Sequence, residues 1–144
     1  MTTDLVAVTS TTIDAPLPKV WQALVDPEMI RQYMFDATVE TDWKKGSPIT
    51  WRGEWKGKAY EDKGVILEIV PERTLRYTHF SPLSGLPDVP SNYHVVAVEL
   101  ETQPDGRGVR VGLVQDGNPT EEAREHSQQN WSAMLASLKK LLEG

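Results

Sequence analysis

The hydrophobic positions near the end of the chain repeat at three- and four-residue steps, as on one buried face of a helix. This apolar stripe consists of Trp131, Met134, Leu135, Leu138, Leu141 and Leu142. Asn118 is a suitable cap and Pro119 a suitable first helical residue. Glu121 and Glu122 complement the positive end of the helix. The pattern therefore predicts a helix over about 119–142.

The upstream half of this helix carries small or polar residues, Ala123 and Ser127, where the stripe would continue. A long helix that crosses a twisted sheet can contact it closely at one end and leave a gap at the other. We expect the half that starts at Trp131 to close the core and the 123–128 half to roof a cavity. The alternative is that the upstream half extends into solvent.

The rest of the chain alternates between short periodic segments and turn residues. The segment "PLPKVWQALVDPEMIRQYM" predicts two helices, with Pro27 opening the second. Seven strands are predicted: "DLVAVTSTTI", "ATVETDW", "SPITWRGEW", "AYEDKGVILEIV", "TLRYTHFS", "NYHVVAVELET" and "VRVGLVQDG". The order predicts an α+β fold, one domain over residues 1–144, with a seven-stranded antiparallel sheet, two short helices after strand 1 and a long C-terminal helix.

Strand alternation predicts which side chains face the helix. They are Ile49, Trp51, Trp55, Val65, Leu67, Ile69, Leu75, Tyr77, His79, His94, Val96, Val98, Leu100, Val109, Val111, Leu113 and Gln115. This face is aliphatic in the middle and carries Trp, Tyr, His and Gln towards its ends. Apolar walls with a few polar groups are typical of ligand pockets, although the same aromatic residues would also fill an ordinary core.

Four segments in this order resemble the START-like (SRPBCC) helix-grip superfamily: "IDAPLPKVWQALVDPEMIRQYM", "DWKKGSPITWRGEW", "DKGVILEIVPERTLRYTHFSP" and "NWSAMLASLKKLLEG". Within it the chain is similar to the bacterial homologues of the activator of heat-shock protein 90 ATPase. The resemblance implies a curved sheet wrapped around the C-terminal helix with a deep apolar cavity between them, but no shared chemistry. Tyr33-Met34 stands where such proteins often carry a tryptophan, and Gln129-Asn130 where glycine is common.

The candidate site is therefore the lining of that cavity. Its predicted ligand-binding residues are Trp51, Trp55, Tyr77, His79, His94, Gln115, Ala123, Ser127 and Trp131. His79 and His94 flank the proline-containing loop "SPLSGLPDVPS", a candidate lid or rim. They could contact a polar group of a ligand or act as an acid/base pair. No spacing supplies a third metal ligand, so we expect neither a metal nor a cofactor and assign no catalytic residue.

Composition restricts the class of partner. The 144 residues carry a net charge of −6, and their Lys and Arg form no dense cluster, which argues against nucleic acid. The chain contains no cysteine, so disulfides and thiol nucleophiles are excluded. Its start has neither a basic segment nor an apolar signal core, and no segment is apolar enough to insert in a membrane. We expect a cytoplasmic protein.

Three functional hypotheses remain. The first is non-enzymatic binding of a small hydrophobic or aromatic molecule, such as a lipid, polyketide or flavonoid-like compound. The second, implied by the family resemblance, is a co-chaperone-like module that contacts a chaperone or forms a homodimer. The third is an enzyme of the cyclase, aromatase or hydrolase type. Fold analogy alone does not choose among them.

Overall fold

The structure is a computed structural model that describes residues 5–34, 36–55, 57–82 and 85–143, with the side chain of Trp55 outside the description. It contains seven strands, three helices and a short 3-10 helix among these residues. The strands are β1 (Leu5–Ile13), β2 (Thr38–Thr41), β3 (Pro48–Trp55), β4 (Lys58–Val70), β5 (Thr74–His79), β6 (His94–Thr102) and β7 (Val109–Asn118). The helices are α1 (Leu17–Val25), α2 (Pro27–Tyr33) and α3 (Glu121–Glu143), and the 3-10 helix is Pro90–Asn92.

All seven strands form one antiparallel sheet in the order β1-β7-β6-β5-β4-β3-β2. Strands β2 to β7 form a meander in which each strand pairs with its neighbour in sequence. Strand β1 joins the far edge by pairing with β7, so that Ile13 lies opposite Val109. The predicted α+β fold, with two short helices after the first strand and a long C-terminal helix, is confirmed.

Helices α1 and α2 begin where the proline pattern predicts. Asp26 ends α1, and its side chain caps α2 by accepting a hydrogen bond of 3.0 Å from the backbone N–H of Glu28. Pro27 is the first residue of α2, where its missing N–H removes no helical hydrogen bond. Tyr33 anchors α2 to α1, because its buried hydroxyl donates to the carbonyl of Ala23 at 2.8 Å.

Helix α3 buries its C-terminal half against the sheet, as the apolar stripe predicts. Met134, Leu135, Leu138 and Leu142 are all buried in the same core as residues of α1, α2 and the sheet. Its start differs from the prediction. Thr120 rather than Asn118 caps the helix, since the Thr120 hydroxyl accepts a hydrogen bond from the Ala123 N–H at 3.0 Å.

Strand β4 contains an irregularity that reverses its side-chain alternation. The register shifts between Ile66 and Glu68, as at a β-bulge. Ile66 is fully buried, whereas Val65 and Leu67 are 40% and 37% exposed. The predicted inward orientation of Val65 and Leu67 is therefore wrong. Before the bulge the even-numbered residues of β4 face the core, whereas after the bulge the odd-numbered Ile69 packs against the core.

None of the described helices is long and apolar enough to cross a membrane.

Candidate functional site

The polar half of α3 is bound to the sheet by hydrogen bonds. Asn118, at the end of β7, donates to the carbonyls of Leu5 at 2.8 Å and Gln115 at 3.1 Å. The Ser127 hydroxyl donates to Asn118 Oδ1 at 2.8 Å, and the Trp131 indole N–H donates to Gln115 Oε1. We call Gln115, Asn118, Ser127 and Trp131 the Asn118 cluster. It explains why this half of the helix carries Ser127, whose hydroxyl satisfies the buried Asn118 side chain at the end of β7.

Two adjacent cavities lie between this cluster and the inner face of the sheet. The large chamber has a volume of about 290 Å³ and is lined by Met34, Asp62, His79, Gln115, Ser127, Asn130, Trp131 and Met134. The small chamber, of about 100 Å³, is lined by Met34, Ala37, Trp51, Tyr60, Asp62, Tyr77, His79 and Trp131. The four residues common to both are Met34, Asp62, His79 and Trp131. Trp131 therefore stands between a packed aromatic pocket and a more open space.

Aromatic rings form the inner wall of the small chamber. The Trp51 ring centroid lies 5.1 Å from that of Tyr77 and 5.2 Å from that of His79, with His79 meeting Trp51 edge to face. Such tilted arrangements place the positive edge of one ring near the negative face of another. Burial raises the pKa of the Tyr77 phenol, so this hydroxyl stays protonated over the physiological range. Trp51 and Tyr77 thus form an aromatic surface with one buried hydroxyl.

Asp62 and His79 form the polar part of both chambers. The carboxylate Oδ2 accepts a hydrogen bond from His79 Nε2 at 2.9 Å, and the two side chains are only 15% and 25% exposed. Because the carboxylate can only accept, the proton on this bond lies on Nε2. In the neutral ring, Nδ1 is then an acceptor. The other carboxylate oxygen, Oδ1, is buried, and no described residue supplies it with a hydrogen-bond partner.

His94 lies beside His79 in the sheet but has a different role. The two residues are direct partners in the β5–β6 register, and their rings stack with centroids 6.4 Å apart. The Nδ1–H of His94 donates to the backbone carbonyl of Asp116 at 3.0 Å. His94 is half-buried and is absent from the described lining of both chambers. Its ring instead packs closely on Gly117 of β7.

The structure brings six of the predicted site residues together around the chambers: Trp51, Tyr77, His79, Gln115, Ser127 and Trp131. His94 lies next to this group. Ala123 lies in the first turn of α3, half-buried, and lines neither chamber. Trp55 falls outside the residues whose side chains the structure describes. In the described part of the proline-containing loop, Asp88 forms an ion pair with Lys63 and accepts from the Tyr93 hydroxyl at 2.5 Å.

Sequence reasoning missed Asp62, Tyr60 and Met34. Asp62 is absent from the side chains predicted to face the helix, although it lines both chambers. The bulge after Ile66 caused the error, because alternation counted from Glu68 points Asp62 outwards. Counting back from the buried Ile66 places residues 64, 62 and 60 on the inner face. Met34 stands at one of the positions where the sequence departs from the family pattern, and here it contributes to both chambers.

No group of three potential metal ligands occurs within the described ranges.

Comparison with known proteins agrees with this architecture. A family profile described as "Activator of Hsp90 ATPase homolog 1-like protein" matches residues 14–143. A protein of Cytophaga hutchinsonii with a known solution structure is 55% identical, with a TM-score of 0.86, over 99% of this chain and 97% of that one. A search of curated proteins finds no match.

Two more distant structures share the fold. The Aha1 dimer of Colwellia psychrerythraea is 20% identical, with a TM-score of 0.72, over 96% of each chain. DynU16, a protein in the dynemicin biosynthetic locus, is 15% identical, with a TM-score of 0.79, over 98% of this chain and 48% of that one. At these identities the likeness concerns the fold alone.

Proposed function

Since the chain belongs to the family of activator of Hsp90 ATPase homolog 1-like proteins, we propose that it binds a small aromatic molecule between the sheet and α3. The observation that carries this proposal is the pair of chambers around Trp131. Their walls combine aromatic and thioether side chains with a few polar groups, which is the usual composition of a ligand pocket.

The size of the chambers limits the ligand. Ligand pockets usually measure about 300–1,000 Å³, so the large chamber, at about 290 Å³, lies at the lower limit. A dry cavity of about 150 Å³ holds benzene. The large chamber therefore suits a molecule of one or two rings better than a lipid with long acyl chains. Flat rings can also pack against Trp131, which lines both chambers.

Competing roles have weaker support. DynU16 comes from a biosynthetic locus, which agrees with a fold used around small molecules. The co-chaperone and enzyme hypotheses find no favouring observation in the part of the chain that the structure describes. In particular, the Trp131 indole and the Ser127 hydroxyl are used in hydrogen bonds that hold α3 on the sheet. We assign them to cavity structure rather than to chemistry.

The proposal is tested with 2-naphthol as the probe, followed by NMR of the tryptophan indole N–H signals. The Trp131 signal is assigned from its loss in Trp131→Phe. We expect 2-naphthol to shift this signal in a saturable way. Ser127→Phe should weaken binding at least tenfold, because the added ring occupies the large chamber. Gln129→Phe adds the same ring at an exposed position of the same helix and should leave binding unchanged. Equal affinities of the two variants would contradict binding in the chamber.

A further inference from the structure

Asp62 carries a buried polar atom for which no described residue supplies a hydrogen-bond partner. Its side chain lines both chambers and is 15% exposed. One carboxylate oxygen accepts from His79, while Oδ1 is buried and has no hydrogen bond within the described residues. Leaving such an atom unsatisfied is unfavourable, and more so when the group is charged. A hydrogen-bond donor at this point would therefore be favourable.

The donors on the opposite wall are already used. The Trp131 indole N–H donates to Gln115, and the Ser127 hydroxyl donates to Asn118. The Gln115 amide donates within the same cluster, to Asn118 Oδ1 at 3.4 Å and to Ser127 Oγ at 3.5 Å. Asp62 lines both chambers, and neither the Tyr60 nor the Tyr77 hydroxyl of the small chamber donates to Oδ1. No described side chain fills this role, so a molecule held in the chambers is in position to supply a donor to this carboxylate.

We infer that the bound molecule donates a hydrogen bond to the Asp62 carboxylate, and that the site selects neutral aromatic molecules bearing a ring hydroxyl over unsubstituted or anionic ones. This inference rests on the proposed function. A hydroxyl supplies one donor without requiring a second buried charge to lose its water. A carboxylate on the ligand would bring a like charge against Asp62 in a space of low polarity. The anion of a fatty or aromatic acid is therefore a poor ligand.

Three naphthalene probes separate these cases in wild-type protein: 2-naphthol, 2-fluoronaphthalene and 2-naphthoate. The first two have similar size, but only 2-naphthol can donate a hydrogen bond. A hydrogen bond to a charged group contributes about 1.5–3 kcal/mol, which corresponds to roughly ten- to hundredfold in affinity. We expect 2-naphthol to bind more tightly than 2-fluoronaphthalene by this factor, and 2-naphthoate to bind most weakly.

Asp62→Asn tests the residue itself. The asparagine carbonyl can still accept from His79, and its amide then replaces the unpartnered oxygen with a donor. The preference for 2-naphthol over 2-fluoronaphthalene should fall to about threefold or less, and 2-naphthoate should gain about tenfold. Glu61→Gln is the matched control. It removes a carboxylate one residue away that is exposed and bound to Arg52, and selectivity should not change.

The possible outcomes distinguish the two proposals. If no probe binds the wild type, the proposed function fails and this inference fails with it. If all three probes bind with equal affinity, the chamber binds ligands but the Asp62 carboxylate does not select them, and only the inference is overturned. Unchanged selectivity in folded Asp62→Asn overturns it as well. If circular dichroism shows that Asp62→Asn is unfolded, the ranking of the three probes on the wild type tests the inference, and any order other than 2-naphthol first and 2-naphthoate last overturns it.

Discussion

Replacing Ser127 by phenylalanine measures whether the large chamber is free space. The side chain lies on the half of α3 that faces the chamber, next to Trp131. In a packed core an added ring forces neighbours out of their preferred rotamers, whereas in a chamber it occupies volume already present. Ser127→Ala is the reference variant, because it removes the same hydroxyl without adding volume.

The expected magnitude follows from one hydrogen bond and from helix propensity. Both variants lose the Ser127–Asn118 hydrogen bond of 2.8 Å, which contributes about 0.5–1.5 kcal/mol to the free energy of unfolding. Alanine regains up to about 0.7 kcal/mol through its higher helix propensity, and phenylalanine does not. We therefore expect Ser127→Phe to be less stable than Ser127→Ala by under about 1 kcal/mol. Overpacking would add typically 1–3 kcal/mol to this difference.

Urea denaturation followed by far-UV circular dichroism gives both free energies, since small proteins usually unfold in one transition. A difference above about 2 kcal/mol would refute the view that the chamber has room for a ring. A small difference combined with unchanged 2-naphthol binding would also refute it, because residue 127 would then point into solvent. Only retained stability together with lost binding agrees with a ligand chamber at this position.

Two further predictions concern the surroundings of the chambers. Gly117→Ala should lower the free energy of unfolding by about 1–3 kcal/mol more than Gly106→Ala in thermal or urea denaturation. Both glycines have a positive φ, near +72° and +73°, but only at Gly117 would the new Cβ meet His94 Nδ1, at 2.9 Å. The hydrogen bonds from Lys63 and Tyr93 lower the pKa of Asp88. The Asp88 carboxylate therefore stabilises the folded loop fully at pH values above the ordinary pKa of an aspartate. This contribution is lost as the pH falls through the lowered pKa. Asp88→Asn should therefore reduce hydrogen-exchange protection of the Tyr93 amide at neutral pH, and this difference from wild type should vanish in acid. A difference in protection that persists in acid would contradict the role of the carboxylate.

The fold follows closely from local sequence signals because those signals coincide with physical breaks in the chain. Asp26-Pro27 separates α1 from α2, since proline cannot continue a helix in its interior but fits its first position. The apolar side chains from Met134 to Leu142 are removed from water when this face of α3 packs on the sheet. The prediction that Asn118 caps α3 was wrong, because an asparagine side chain is equally suited to cap a helix and to satisfy buried backbone carbonyls.

The site was less accessible to sequence reasoning because it depends on one inserted residue. Alternation identifies Trp51, Tyr77 and His79 correctly, since neither β3 nor β5 carries the extra residue itself, and the β3–β4 and β5–β6 registers are regular over those residues. The bulge in β4 shifts the phase by one, and nothing in "KGVILEIV" marks its place, because aliphatic residues occupy both faces there. Sequence reasoning therefore missed Asp62, which is the hydrogen-bond partner of His79. Only the register observed in the structure recovers it.

The position of β1 has a consequence for the order in which the protein can fold during synthesis. Every hairpin from β2 to β7 can form as soon as its second strand is made, but β1 pairs only with β7 and then contacts α3. The Val8 N–H donates to Gln128, which follows it by 120 positions. At translation rates of roughly 5–20 residues per second, on the order of ten seconds pass between the synthesis of β1 and the synthesis of β7 and α3. Contacts of such long range slow folding, so docking of the first strand should be the last and slowest assembly step. Until it occurs, the edge of β7 is open to pairing with another chain.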